Sequence, residues 1–275
     1  ESVTTIGTYV FYKTSFIGSL IIPYSVTTMG KYAFAVCNGF TGTLTLSESL
    51  SQIDIATFAG SDGFTGDIVI PDSVTNIGAY AFDGCSGFDG TLTLPDTLVT
   101  LSYGAFGRCS GLVGSLVLPS GLTEIGATTF ERCEFTGDLV LPSGITSIGQ
   151  KAFYYCTGFT GILQISSTVA SIGSSAFAGC AGFTDIELFS STTLDSNAFI
   201  NTVTPTIVTH APTGQPTSLP TNQPTKDTTF KRKIRDKVSS VTETALENMK
   251  DVQYSVHDML VSWRKAMNPR HGKEL

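Results

Sequence analysis

Residues 67–90 read D-I-V-I-P-D-S-V-T-N-I-G-A-Y-A-F-D-G-C-S-G-F-D-G, and the same sentence recurs along most of the chain. Its surest mark is a phenylalanine, at Phe11, Phe34, Phe58, Phe82, Phe106, Phe130, Phe153, Phe177 and Phe199, in steps of 22 to 24 residues. A period in the low twenties is one coil of a solenoid, which buries its apolar side only against its neighbours.

Aligned on the Phe, each coil reads x-L-x-L-P-x-x-V-T-x-I-G-x-x-A-F-x-x-C-x-G-F-T-G. The L-x-L piece alternates with period two (Leu44/Leu46, Ile68/Ile70, Leu92/Leu94, Leu116/Leu118), which predicts a short strand with one face inward. Pro23, Pro71, Pro95, Pro119 and Pro142 follow it, where no further ladder donor is wanted. Val74/Ile77 and Ile145/Ile148 are the next inward pair. Gly7, Gly30, Gly78, Gly126, Gly149 and Gly173 then turn the chain, and a positive φ is expected there. A-F-x-x-C reads as one helical or 3₁₀ turn laying Phe and Cys into the core. Six or seven inward groups cannot offset the ordering of two dozen residues, so a lone coil should not fold and a stack should.

These words resemble the BspA-like (Treponema-type) leucine-rich repeats. The likeness is carried by I-P-D-S-V-T-N-I-G-A-Y-A-F-D-G-C (Ile70–Cys85) and L-P-S-G-I-T-S-I-G-Q-K-A-F-Y-Y-C (Leu141–Cys156). The pair of residues inserted before the strand is similar to the plant-type repeats. The resemblance implies a parallel sheet on one side of the stack with short turns on the other. It also implies an extracellular or cell-surface protein that binds other macromolecules, often in adhesion.

The reading is therefore an α/β-type solenoid, mostly β, of eight to nine coils over residues 1–209. The last coil decays after Phe199, and Thr206–Val208 is expected to supply a closing strand. The chain opens on E-S-V-T-T-I-G, inside a repeat, so a fragment or a processed product is expected. A Pro/Thr linker follows over 210–225, with Pro212, Pro216, Pro220 and Pro224 every four residues. Such a spacer favours extended polyproline II and resembles the stalks of secreted proteins of diatoms and related algae. Residues 226–267 carry one apolar stripe at steps of three and four. It includes Ile234, Val241, Ala245, Met249, Val252, Val256, Met259 and Trp263, and the opposite face mixes charge signs. That predicts an amphipathic helix. A partner helix or homo-oligomeric coiled coil suits it better than a membrane surface, although membrane contact and docking back on the solenoid stay open. Residues 268–275 read as a disordered tail.

Charge is divided unevenly. Residues 1–200 hold 16 Asp/Glu and 5 Lys/Arg; residues 201–275 hold 7 and 11. An acidic body argues against nucleic acid, which needs clustered cations. No apolar run is long enough to cross a bilayer.

Chemistry is mostly not found. Cys37, Cys85, Cys109, Cys133, Cys156 and Cys180 all stand three residues after the repeat Phe. No C-x-x-C pair exists to hold zinc. A buried ladder of free thiols is the first reading, one or two bridges the second, and a metal or reactive thiol the last. His210, His257 and His271 lie outside the repeats, so none can serve a nucleophile within them. Catalytic, cofactor and metal sites are read as none. Carboxylates such as Asp67 and Asp138 read as solubilising, with weak calcium binding or a glycosidase pair as minor alternatives.

What remains is surface. Thr43, Thr45, Val69, Thr91, Thr93, Val117, Val140 and Gln164 are expected to face outward from the strands as a nearly uncharged sheet face. It is either a set of good strand formers or a recognition face for a protein or glycan. Tyr80, Tyr103, Tyr154 and Tyr155, which could stack on sugar, fall on the turn side.

Overall fold

A computed structural model of the chain describes residues 3–208, except Ser190 and Ser196, together with Gln253–Ser255. The described repeats form a parallel β-solenoid whose strands, at 2 to 6 residues, are short.

Each coil contributes to two rows of parallel strands, where one sheet was expected. The first row is the L-x-L piece, for example Phe40–Thr45, Ile68–Val69, Leu92–Thr93, Ile162–Gln164 and Asp185–Phe189. Ile68 stands opposite Leu92, Leu163 opposite Ile186, and Val117 bridges to Val140. Thr206–Val208 joins this row beside Asp185–Phe189 and supplies the closing strand the sequence predicts. The second row comes from the x-I pair before the glycine: Asn76–Ile77 stands between Gln52–Ile53 and Thr100–Leu101. Glu124–Ile125, Ser147–Ile148, Ser171–Ile172 and Thr193–Leu194 continue it. Pro joins the rows by starting a turn. The carbonyl of Pro71 accepts the N–H of Val74 at 3.0 Å, and Pro23, Pro95, Pro119 and Pro142 repeat the bond.

Third in the coil is the turn around the Phe, and here no helix forms among the described residues. Backbone N–H groups alternate in direction. The amide of Phe82 donates to Ala105 of the next coil at 2.8 Å, while those of Ala81 and Asp83 close turns within their own coil. The cross-coil bond recurs at 2.8–3.0 Å from Phe11 to Phe177. Such alternation requires a left-handed residue on each side of the Phe. All nine coils have φ between +51° and +80° both two residues before the Phe and two residues after it. Fourteen of these eighteen places are not glycine, Val36 and Thr128 among them. A left-handed residue with a side chain costs roughly 1–2 kcal/mol, and two hydrogen-bonded neighbouring coils hold it there.

The glycines expected to have positive φ do not. Gly30, Gly78, Gly126, Gly149 and Gly173 are needed because the previous coil lies against them: a Cβ would come within 2.5–2.8 Å of its backbone. The demand is close approach, not handedness.

Two columns of phenylalanine fill the core. The repeat Phe side chains stack in sequence from Phe11 to Phe199 with ring centroids 5.0–6.1 Å apart. The G-F phenylalanines make a second stack, such as Phe40 on Phe64 at 4.6 Å, interrupted where Leu112 takes the place. Edge-to-face contacts such as Phe153 with Phe159 join the two columns.

Of the helix expected over 226–267, only Gln253–Ser255 is described, and these three residues are a short strand. The rest of that stretch, with its stripe from Ile234 to Trp263, and the linker at 210–225 lie outside the described residues.

Candidate functional site

The cysteine column faces the core. All six thiols are free and buried. Each Sγ–H donates to the carbonyl of the preceding coil's Phe at 2.9–3.1 Å, as Cys109 does to Phe82 and Cys133 to Phe106. The same carbonyl accepts the amide of the residue three positions on in its own coil, Cys85 for Phe82 and Thr14 for Phe11, so one oxygen ties two coils. Ser61 fills the column without sulfur and makes the equivalent bond to Phe34 at 2.6 Å. Burial pushes Cys85, Cys109, Cys133 and Cys156 well above the ordinary thiol value, and Cys180 to about 12. A thiol held protonated is neither a nucleophile nor a ready metal ligand. No cluster of His, Cys, Asp and Glu suited to a metal occurs among the described residues, and the three histidines lie outside them.

The outward strand face divides on inspection. One file is structural: Asp67 accepts both the N–H and the hydroxyl of Thr91 at 2.6 and 2.8 Å, and Ser19 accepts the N–H of Thr43 at 3.0 Å. Thr43 and Thr91 are thereby held to the coil before them, and Asp67 serves the backbone. The neighbouring file has no such duty. Thr45, Val69, Thr93, Val117, Val140 and Gln164 project outward, with Val117 59% and Val140 62% exposed side by side. At its far end the Gln164 amide donates to Glu187 at 3.2 Å. This file is a neutral, largely β-branched stripe on a row of hydrogen-bonded parallel strands.

Beside the second strand row runs an open groove of about 520 Å³, with Gly126, Gly149 and Gly173, the carboxylates of Glu124 and Asp195, and the ring of Tyr103 on its walls. It is shallow and holds no paired nucleophile and base.

The turn around the Phe forms a ridge from three residues before it to two after. All five Lys/Arg of residues 1–200 stand on it: Lys13, Lys31, Arg108, Arg132 and Lys151. So do seven of the eight tyrosines before the linker, Tyr24 being the exception. Tyr9 and Tyr32 stack at 4.8 Å with planes 1° apart, Tyr103 meets Tyr80 edge-on at 5.0 Å, and Tyr154 meets Tyr155 at 4.6 Å. Lys13 lies over Tyr12, Lys151 over Tyr154 and Arg132 over Tyr155, 5.1–5.9 Å from the ring centres. The tyrosines of the turn side are thus brought together with every cation of the body. No single repeat column shows this, because the residues are spread over four columns; counting Tyr, Lys and Arg by their distance from the Phe would have found it.

Comparison with known proteins places the repeats. A family model described as the BspA type leucine-rich repeat region matches in six copies, over residues 4–135 and 89–206. The fold resembles the crystal structure of a leucine-rich repeat protein from Bacteroides ovatus, 22% identical with a TM-score of 0.59 over 72% of this chain. It also resembles a leucine-rich cell surface protein from Faecalibacterium prausnitzii, 24% identical with a TM-score of 0.50 over 75%. The matches span 56% and 63% of those two chains. No curated protein sequence matches.

Proposed function

The chain belongs to the BspA-type leucine-rich repeat proteins, and we propose on that footing that it is a non-enzymatic binding module that engages a macromolecule through its outward strand face. The observation that supports this most is the uncharged file from Thr45 to Val140, whose side chains serve no coil-to-coil bond; only Gln164 at its end bonds to the next coil. A largely β-branched face on hydrogen-bonded strands loses little conformational entropy when covered, which favours affinity per contact. The buried, protonated thiols favour binding over catalysis. The family's usual role as binding and adhesion modules supports the same reading, as does a relative described as a cell surface protein. An extracellular or cell-surface setting, with the solenoid held off its anchor by the Pro/Thr segment at 210–225, completes the proposal. A second role, assembly through the stripe at 226–267, would raise avidity by presenting several solenoids together.

Val117→Lys with Val140→Lys, both at exposed strand positions, places two charges on the face without touching the core. Capture of a partner from an extracellular protein and glycan array should fall at least tenfold while thermal unfolding moves little. Unchanged capture by the double variant would remove the strand face from the proposal. Light scattering with and without residues 226–275 separates the assembly role: a full chain that stays monomeric counts against it.

A further inference from the structure

The ridge around the repeat Phe carries a net charge of +3, since only Asp83 and Glu131 offset its five cations, within a body whose net charge is −11. Cations gathered on one line of an acidic surface attract an anionic partner and repel little else nearby. Two ion pairs occur among the described residues, Arg108 with Asp83 and Arg132 with Glu131. Lys13, Lys31 and Lys151 belong to neither, so their charge is available.

The aromatic part of the ridge has a particular posture. Tyr80 covers Gly104 of the next coil, where a Cβ would collide with its ring, and Tyr155 covers Gly179, where a Cβ would come within 3.0 Å. Each ring therefore lies along the stack against bare backbone and stays partly exposed, Tyr80 41% and Tyr155 46%, with Tyr103 edge-on to the first and the Arg132 guanidinium over the second. A half-exposed aromatic ring with a cation beside it suits the C–H side of a sugar ring that bears an anionic substituent. The negative face of the ring meets the slightly positive C–H bonds, and the cation meets the substituent. An acidic peptide would use the cations but has no need of paired aromatic rings.

We propose that this ridge is a second binding surface and that its ligand is an acidic polysaccharide, a chain of sugar rings carrying carboxylate or sulfate. It rests on the reading of the chain as a binding module but uses other residues, so the strand face stands or falls separately. Tyr80 with Tyr103, and two coils further on Lys151 with Tyr154 and Tyr155, make its two aromatic patches.

The test is binding of the full chain to polygalacturonate, dextran sulfate, uncharged dextran, polyglutamate and a single-stranded oligonucleotide. Tyr80→Asn with Tyr155→Asn is the paired variant, because Asn accepts the left-handed backbone at Tyr80 and Tyr155. The basic segment after residue 226 can attract any polyanion, so the tyrosine variant carries the discrimination. The expected result is binding to polygalacturonate or dextran sulfate that weakens as salt rises, at least tenfold weaker binding to polyglutamate and the oligonucleotide, and none to dextran. The double variant should lose tenfold or more while its six thiols stay protected from reagent, which shows that it is folded. Three results would each overturn the proposal: no binding to either acidic polysaccharide, equal or tighter binding to polyglutamate or the oligonucleotide, or full binding by a folded double variant. The Val117/Val140 variant should bind these polysaccharides normally, so its effect and the ridge's can be told apart.

Discussion

The inside and the outside of one turn behave differently. All nine coils repeat the Phe, buried from Phe11 to Phe177, and six of the nine carry a buried cysteine three residues later. One or two residues from the Phe, in the same turn, the letters range from Gly and Ala to Tyr, Lys and Arg. The backbone is the same at both, since every coil takes the same left-handed steps. A repeat that holds its backbone with cross-coil hydrogen bonds and its core with stacked rings leaves the outward positions free to vary. Uniformity there marks structure, and variety marks where chemistry can be placed.

The sharpest way to break this comparison is alkali. A thiol whose folded value lies above its unfolded value near 9 contributes stability that is complete below 9 and is lost as pH rises toward the folded value. Each such thiol removes about 1.4 kcal/mol per pH unit in that window, so Cys85, Cys109, Cys133, Cys156 and Cys180 together remove up to roughly 7 kcal/mol per unit. Denaturant midpoints measured from pH 8 to 11 should fall steeply, and less steeply when the same five are serine. An equally steep fall in the serine variant would mean that the column is not buried.

Next in size is the ring stack. Phe106→Ala, in mid-stack and fully buried between Phe82 and Phe130, should cost about 3–5 kcal/mol. Tyr103→Ala, three residues away and half exposed, should stay within about 0.5 kcal/mol. Calorimetry on the two variants reads the contrast directly.

Much of the interior is legible in the sequence for the reason the comparison gives. Leu, Phe and Cys recur because stacking demands them, so their columns, the strand row and the closing strand at Thr206–Val208 can be read without a structure. The left-handed residues cannot, because Tyr9, Val36, Thr128 and Arg108 do not announce a positive φ as glycine would. The glycines that stand out in the repeat serve close approach instead. The second strand row escapes notice because two residues per coil show no alternation. The ridge is hidden for a different reason: its tyrosines and cations occupy different columns and become neighbours only when the coils are stacked.

Two smaller effects refine the comparison. Cys109→Ser should change stability by no more than about 1 kcal/mol, because Ser61 already makes the same bond to a preceding Phe carbonyl. Val36→Gly, at a left-handed β-branched residue, should be neutral or stabilising by up to about 1 kcal/mol, since relief of backbone strain opposes the added freedom of the unfolded chain. A clear loss at Val36 in thermal melts would mean that its side chain, not its backbone, holds the turn.

Registered stacking, with every repeat cysteine facing the core, is tested most directly by counting reactive thiols in the native chain. With a small thiol reagent at neutral pH and no denaturant, Cys37, Cys85, Cys109, Cys133, Cys156 and Cys180 should all stay unmodified over hours, and all six should react at once in guanidinium. Fast modification of most of them in the native chain would contradict the stack and everything placed upon its surface.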